Sequence, residues 1–145
     1  MTARLNPYIG FKDDARQAME FYKSIFGGEL VINTFGEFGA AEGAEADKVM
    51  HAHLESPSGF VLMASDTPEG MDHTPGSAIT ISLSGEASDG LQGYWDQLSD
   101  GGTVTMPLEK QMWGDVFGMC TDKFGVGWMV NIATANAPTG AEATT

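Results

Sequence analysis

Two histidines stand two residues apart in "VMHAHLE", Val49 to Glu55. In an extended strand that spacing puts His51 and His53 on one face, close enough to share a metal ion or pass a proton. Glu55 extends the row. Two imidazoles alone make an incomplete metal site, so a third donor would have to come from elsewhere, with His73 the remaining histidine. Without it the pair suits hydrogen bonding to a ligand or a solvent-facing role. Cys120, the single cysteine, sits mid-strand with no basic neighbour in sequence and reads as inert packing rather than a nucleophile. Asp66 closes its strand and reads as a turn-former before a catalytic base. In "QMWGDVFG", Trp113 precedes a Gly-Asp turn, where an indole can stack on a planar ligand or pack as interface.

These side chains need elements to aim them. "LNPYIGF" reads as a short strand with Pro7 at an edge or strand start. "DDARQAMEFYKSIFGG" reads as a helix capped by Asp13 or Asp14, with Ala15, Met19, Tyr22 and Phe26 at helical spacing and Gly27-Gly28 as its stop. "ELVINTF" follows as a β-branched strand. "GEFGAAEGAEAD" is acidic, rich in Gly and Ala and without periodicity, which predicts a mobile loop. "VMHAHLE" and "FVLMASD" make a hairpin across Ser56-Pro57-Ser58-Gly59. After the linker "TPEGMDHTPG" the pattern restarts: strand "AITISLS", helix "SDGLQGYWDQLSDGG", strand "TVTMP", then the hairpin inside "FGMCTDKFGVGWMVNI". The double glycines Gly27-Gly28 and Gly101-Gly102 lie 74 residues apart, and Gly59 and Gly125 lie 66 apart. That points to a duplicated β-α-β-β-β unit whose lengths differ in the acidic loop.

Alternation then assigns faces. Ile79, Ile81 and Leu83 should pack on a helix, as should Met50, Ala52 and Leu54. Thr80, His51, His53, Met129 and Asn131 then look the other way, toward the concave side, where Phe11, Phe117 and Met119 are expected to join them.

Composition narrows the partners. The 145 residues are of single-domain size, with 42% apolar and 19% charged side chains. Twenty acidic against seven basic residues give a formal charge of −13. Nucleic acid and anionic membranes are therefore poor partners, since both need a basic face. One cysteine excludes an intrachain disulfide and fits a reducing cytoplasm. "MTARLNPYIGF" lacks a signal-peptide core, and no run reaches the roughly 18 apolar residues of a membrane span.

With two such modules, the chain resembles the vicinal oxygen chelate superfamily, which includes glyoxalase I, extradiol dioxygenases and the bleomycin and fosfomycin resistance proteins. The motifs "NPYIGF", "MEFYKSIFGGE", "KVMHAHLE", "VLMASD" and "GGTVTMPLEKQMWGDVFGMCTDKFGVGWMVNI" look more narrowly like its PhnB-like branch, from about Asn6 to Ile132. The resemblance implies an α+β fold, two tandem βαβββ modules forming a curved mixed sheet around a cavity with helices on the outer face. It implies a domain over 1–135, with modules at about 4–67 and 77–133, and leaves 136–145 as a disordered tail. Members of the branch often carry the name of a ubiquinone methyltransferase, but no glycine-rich methyl-donor loop is present here.

Superfamily enzymes hold one divalent metal with four His, Glu or Gln side chains, from the first and last strands of each module, and use it as a Lewis acid. Laid on this chain, those positions fall at Pro7, near Met63, at Ala78 and at Met129. Pro and Ala offer no donor, and a thioether suits soft Cu(I) rather than Mg, Mn, Zn or Ni. A slip of one residue brings in Tyr8, Leu62 or Ala64, Ser77 or Ile79, and Trp128 or Val130, which make no metal site either. The resemblance thus implies a binder of a small, partly apolar molecule, with no metal or cofactor. Its ligand would meet Phe11, His51, His53, Met63, Thr80, Trp113, Phe117, Met119, Met129 and Asn131. The alternative is a divergent metal-dependent enzyme of lyase, isomerase or dioxygenase type using His51 and His53. A third reading has the acidic loop, Glu37 to Asp47, recruit a basic partner. Family members are typically homodimers, so a cytoplasmic homodimer is expected.

Overall fold

A strand that pairs in parallel with the last member of an antiparallel group needs a crossover, and in each half of this chain a helix supplies it. The computed structural model describes residues 3–39 and 42–134. In the first half, β1 (Tyr8–Phe11), α1 (Ala15–Phe26), β2 (Glu29–Thr34), β3 (Val49–Glu55) and β4 (Val61–Asp66) build a four-stranded sheet in the order β1-β4-β3-β2. The second half repeats it with β5 (Ile81–Glu86), α2 (Leu91–Ser99), β6 (Thr103–Lys110), β7 (Val116–Thr121) and β8 (Gly127–Ala133), ordered β5-β8-β7-β6. In both sheets the first strand is parallel to the last and the other pairs are antiparallel. The halves are two compact units divided between Pro75 and Gly76. The expected tail, 136–145, lies outside the described residues.

Each helix covers one face of its own sheet. α1 buries Ala15, Ala18, Met19, Tyr22, Ile25 and Phe26, and the strand positions that face it, Ala52, Leu54, Leu62 and Ala64, are buried too. α2 buries Leu91, Trp95 and Leu98 over Leu83, Trp128 and Val130. Gly118 is part of that packing: a Cβ there would lie 2.9 Å from the Trp95 ring and 2.8 Å from the Leu108 backbone. The double glycines have a steric cause. A Cβ on Gly28 would collide with the backbone at Glu55 and Ser56, and one on Gly102 with that at Thr121 and Asp122, the same hairpin entrance in each module.

The hairpins also match. Ser56 Oγ accepts from Phe60 N–H at 3.1 Å, and at the equivalent place Asp122 Oδ1 accepts from Val126 N–H at 3.1 Å. Asp122 does more. Its Oδ1 also takes Phe124 N–H at 2.8 Å, and its Oδ2 takes the Trp128 indole N–H at 2.8 Å.

Four local expectations change. Asp14 occupies the N-cap of α1 without a side-chain hydrogen bond; instead Asp66, reaching over from β4, accepts Ala15 N–H at 2.9 Å and Val49 N–H at 2.8 Å. Asp66 is therefore a buried structural brace. Ile79 does not pack on a helix, because β5 starts only at Ile81 and Ile79 is 86% exposed. The acidic stretch contains two 3-10 turns, Gly36–Phe38 and Gly43–Asp47, closed by Phe35 N–H to Lys48 O at 3.0 Å. β6 runs on past Pro107 to Lys110, with register shifts that absorb the proline.

Candidate functional site

Register now places every candidate, because residues directly opposite in a sheet share a face. In the first module His53 lies between Val31 and Met63, and Met63 lies opposite Tyr8. His51 faces the same way, opposite Asn33, with the Tyr8 hydroxyl 3.3 Å from its Nδ1 and the two rings 5.7 Å apart. His51, His53 and Met63 therefore form one row on the helix-free face. Phe11 does not join them. It pairs with Asp66, on the side of Ala64 and Ala52, and is buried with α1 at 3% exposure. Counting alternation from the wrong member of this short strand produces that error.

His73 lies 3.4 Å from the Thr67 hydroxyl and lines a separate hollow of about 340 Å³ with Lys12, Lys48, Glu69 and Asp72. Lys48 there is spoken for: it meets Asp13 at 2.9 Å, Glu45 at 3.3 Å and the Thr67 carbonyl at 3.2 Å. The hydrogen bond from Lys48 draws the Asp13 carboxyl below its ordinary value, and the same bond holds the Lys48 ammonium above its own. Among the described residues, no three His, Cys, Asp or Glu side chains are grouped so as to hold a metal ion.

In the second module the helix-free face carries two rows. Met129 stands between Ser82 and Met119, with Met106 beyond, and Asn131 stands between Ser84 and Phe117. Thr80 precedes β5, yet its hydroxyl lies 3.4 Å from where a Gly127 Cβ would be, which puts it beside the Met129 row. Trp113, on the turn between β6 and β7, sets its ring edge-on to Phe117 with centroids 6.0 Å apart. Thr80, Phe117, Met119, Met129 and Asn131 thus share a face as alternation predicts, with Trp113 at its end.

One participant was not singled out from sequence. Asn131 Nδ2 donates to Asp115 Oδ2 at 2.9 Å, and Asp115 is 1% exposed. Its other oxygen, Oδ1, is buried with no hydrogen-bond partner among the described residues. The available signal was parity: Asp115 lies two residues before Phe117. Cys120 lies on the other face, 2% exposed, its thiol pushed up to about 11 by burial and, secondarily, by the Asp122 charge. It is no nucleophile at neutral pH.

The positions suggested for a metal can now be checked. Met63 N–H bonds to Pro7 O at 3.0 Å, so Pro7, just before β1, lies beside Met63 of β4. In the second module the residue opposite Met129 is Ser82, and Ala78 lies exposed before the strand begins. Ser82, rather than Ala78, is therefore the internal counterpart of Tyr8, which stands opposite Met63. The correction does not rescue a metal site. Tyr8 with Met63 in the first module, and Ser82 with Met129 in the second, each present one hydroxyl and one thioether, donors that do not suit a hard divalent ion.

A model described as the Glyoxalase/Bleomycin resistance protein/Dioxygenase superfamily matches residues 4–130. Protein PA1353 from Pseudomonas aeruginosa is 35% identical at a TM-score of 0.81, over 91% of this chain and 98% of that one. A Bacillus cereus PhnB protein, described as a putative 3-demethylubiquinone-9 3-methyltransferase, is 26% identical at a TM-score of 0.73, over 90% and 100%. Protein YjdN of Escherichia coli (strain K12) is 26% identical over 140 residues, 88% of this chain and 94% of that protein. Among the described residues no helix is long and apolar enough to cross a membrane.

Proposed function

Because this chain belongs to the Glyoxalase/Bleomycin resistance protein/Dioxygenase superfamily, we propose that it binds a small, partly apolar molecule on the helix-free faces of its sheets, without a metal ion. The observation that carries this reading is the paired placement of Met63 and Met129. Each stands four residues after its hairpin glycine and faces away from its helix, where a metal enzyme of this superfamily would be expected to carry a ligand side chain. In the second module Met119, Met106 and Phe117 extend the apolar surface beside Met129, and unbranched thioethers adapt to varied shapes. Each face adds a few polar contacts of its own, His53 in the first module and Thr80, Ser82 and Asn131 in the second, as small-molecule sites usually do. The protein acts in this reading as a cytoplasmic homodimer.

A second reading follows from His51, His53 and the Tyr8 hydroxyl, which lie together on the first module's free face. There an enzyme would use the imidazoles around a substrate oxygen.

Elemental analysis separates the two. The untagged protein is dialysed with Ni, Zn, Mn and Fe, beside a His51→Ala, His53→Ala variant. The binder reading expects no stoichiometric metal in either. Its second arm follows protein labelled with 13C at the methionine methyls, screened against small-molecule fragments, and expects shifts at Met63, Met119 or Met129. One metal per chain, lost in the double variant, would replace the binder by a metal enzyme.

A further inference from the structure

Among the described residues, one buried side-chain oxygen is left without a hydrogen-bond partner. Asp115 has its Oδ2 held by Asn131 at 2.9 Å and its backbone carbonyl held by Gln111 N–H at 2.8 Å, while Oδ1 has no partner. Buried carboxylate oxygens are ordinarily paired, because burial removes their water without replacing it. The fold itself does not ask for a carboxylate here. The 66-residue offset that superimposes the two hairpins makes Val49 the first module's counterpart of Asp115, and Ser65 that of Asn131. The other buried acids among the described residues have their oxygens used: Asp66 by two backbone N–H groups, Asp122 by two backbone N–H groups and an indole. Asp115 alone among the described residues keeps a buried side-chain oxygen free.

Its setting is that of a ligand anchor. Asn131, which fixes the carboxylate through Oδ2, stands directly opposite Phe117, and Phe117 meets the half-exposed Trp113 edge-on. A carboxylate oxygen only accepts, so whatever satisfies it must donate. Resting on the binding reading above, we propose that Asp115 Oδ1 receives the hydrogen-bond donor, an ammonium or hydroxyl, of a ligand whose planar apolar part lies against Trp113 and Phe117. Asn131 is the positioning residue that keeps the free oxygen turned toward that donor. Oδ1 is covered in the unliganded chain, so the donor's entry displaces the atoms over it.

The test compares 2-phenylethylamine and 2-phenylethanol, which can donate, with phenylacetate, which cannot. Binding is followed by the Asn131 side-chain amide and Trp113 indole signals in 15N–1H spectra, on wild type, Asp115→Asn and Asp100→Asn. Asp100 is an exposed carboxylate at the end of α2, so its variant removes the same charge away from the site. The expected result is at least tenfold tighter binding of the amine than of phenylacetate, kept in Asp100→Asn and lost in Asp115→Asn. Asp115→Asn is also expected to keep or raise the urea midpoint, since its amide oxygen can still accept from Asn131. An amine preference that survives Asp115→Asn, or equal binding of amine and phenylacetate, overturns the anchor while leaving a binding face in place. A lower midpoint in Asp115→Asn with an unchanged preference makes the carboxylate structural and overturns it too. No shift at Asn131 or Trp113 from any probe overturns both the anchor and the binding face at this end of the sheet.

Discussion

Replacing Asp122 by Ala should be among the most damaging single changes in the second module, and the size of the effect can be worked from its bonds. The side chain is 3% exposed and accepts from Phe124 N–H, Val126 N–H and the Trp128 indole N–H. The two turn amides are only part-buried, so water can replace the carboxylate at each, for a loss of about 0.5–1 kcal/mol apiece. The indole is different. Trp128 is 1% exposed, and an unpaired buried N–H costs about 1–3 kcal/mol. Together these give about 2–5 kcal/mol, a large share of a typical domain stability of about 5–15 kcal/mol. With a urea m-value of about 2 kcal/mol/M, the midpoint should fall by about 1–2.5 M. The duplication supplies a control, since Ser56 closes the same turn in the first module through one amide. Asp122→Ser should therefore keep the Val126 contact and lose the Phe124 amide and the indole, costing about 1.5–4 kcal/mol. Trp128→Phe should do less harm in the Asp122→Ala background than in wild type, because the indole N–H is already orphaned there. Urea unfolding followed by circular dichroism measures all of these. An Asp122→Ala midpoint within 0.3 M of wild type, or an Asp122→Ser as damaging as the alanine, would show that the three bonds do not hold this turn.

Gly28→Ala and Gly102→Ala should each lower stability by about 2 kcal/mol or more, since backbone rather than a movable side chain meets the new methyl; Gly39→Ala, at a positive φ but in open space, is the milder comparison in thermal melts. Asp66→Ala should cost about 2–4 kcal/mol by orphaning the Ala15 and Val49 amides together, and hydrogen exchange should quicken at the start of α1. Cys120 should resist alkylation by iodoacetamide at pH 8 until the chain is unfolded. Its thiol is raised from 9.0 to about 11 in the fold, so its contribution to stability is fully present below pH 9 and is lost as pH rises through 11. Cys120→Ala should flatten that alkaline fall, on the order of 2 kcal/mol in equilibrium unfolding.

The module order was legible because it rests on short-range physics. The helical recurrence of Met19, Tyr22 and Phe26, the alternation through "HAHLE" and "GWMVNI", and the paired glycines each leave a local mark on the sequence. The double glycines even mark a tertiary contact, since each leaves room for the hairpin entrance of its own module. Phe11 and Ile79 were misplaced by the same local logic. A four-residue strand gives alternation too few positions to set its phase, and apolar spacing before Ile81 does not show where pairing begins.

The sequence by itself determined the duplicated β-α-β-β-β plan, the shared faces of His51 with His53 and of Met129 with Asn131, and the thioethers where a metal enzyme needs harder donors. Those are properties of residue type and spacing, which a linear pattern carries whole. Only the tertiary structure decided that Ser82 stands across from Met129, that Asp66 braces the helix that Asp14 leaves uncapped, and that Asp115 is bound to Asn131 with one oxygen left over. Each of these depends on which distant backbone or side-chain group is brought alongside. Hydrogen bonding is satisfied or left open by the packed chain as a whole, and no local stretch records the outcome.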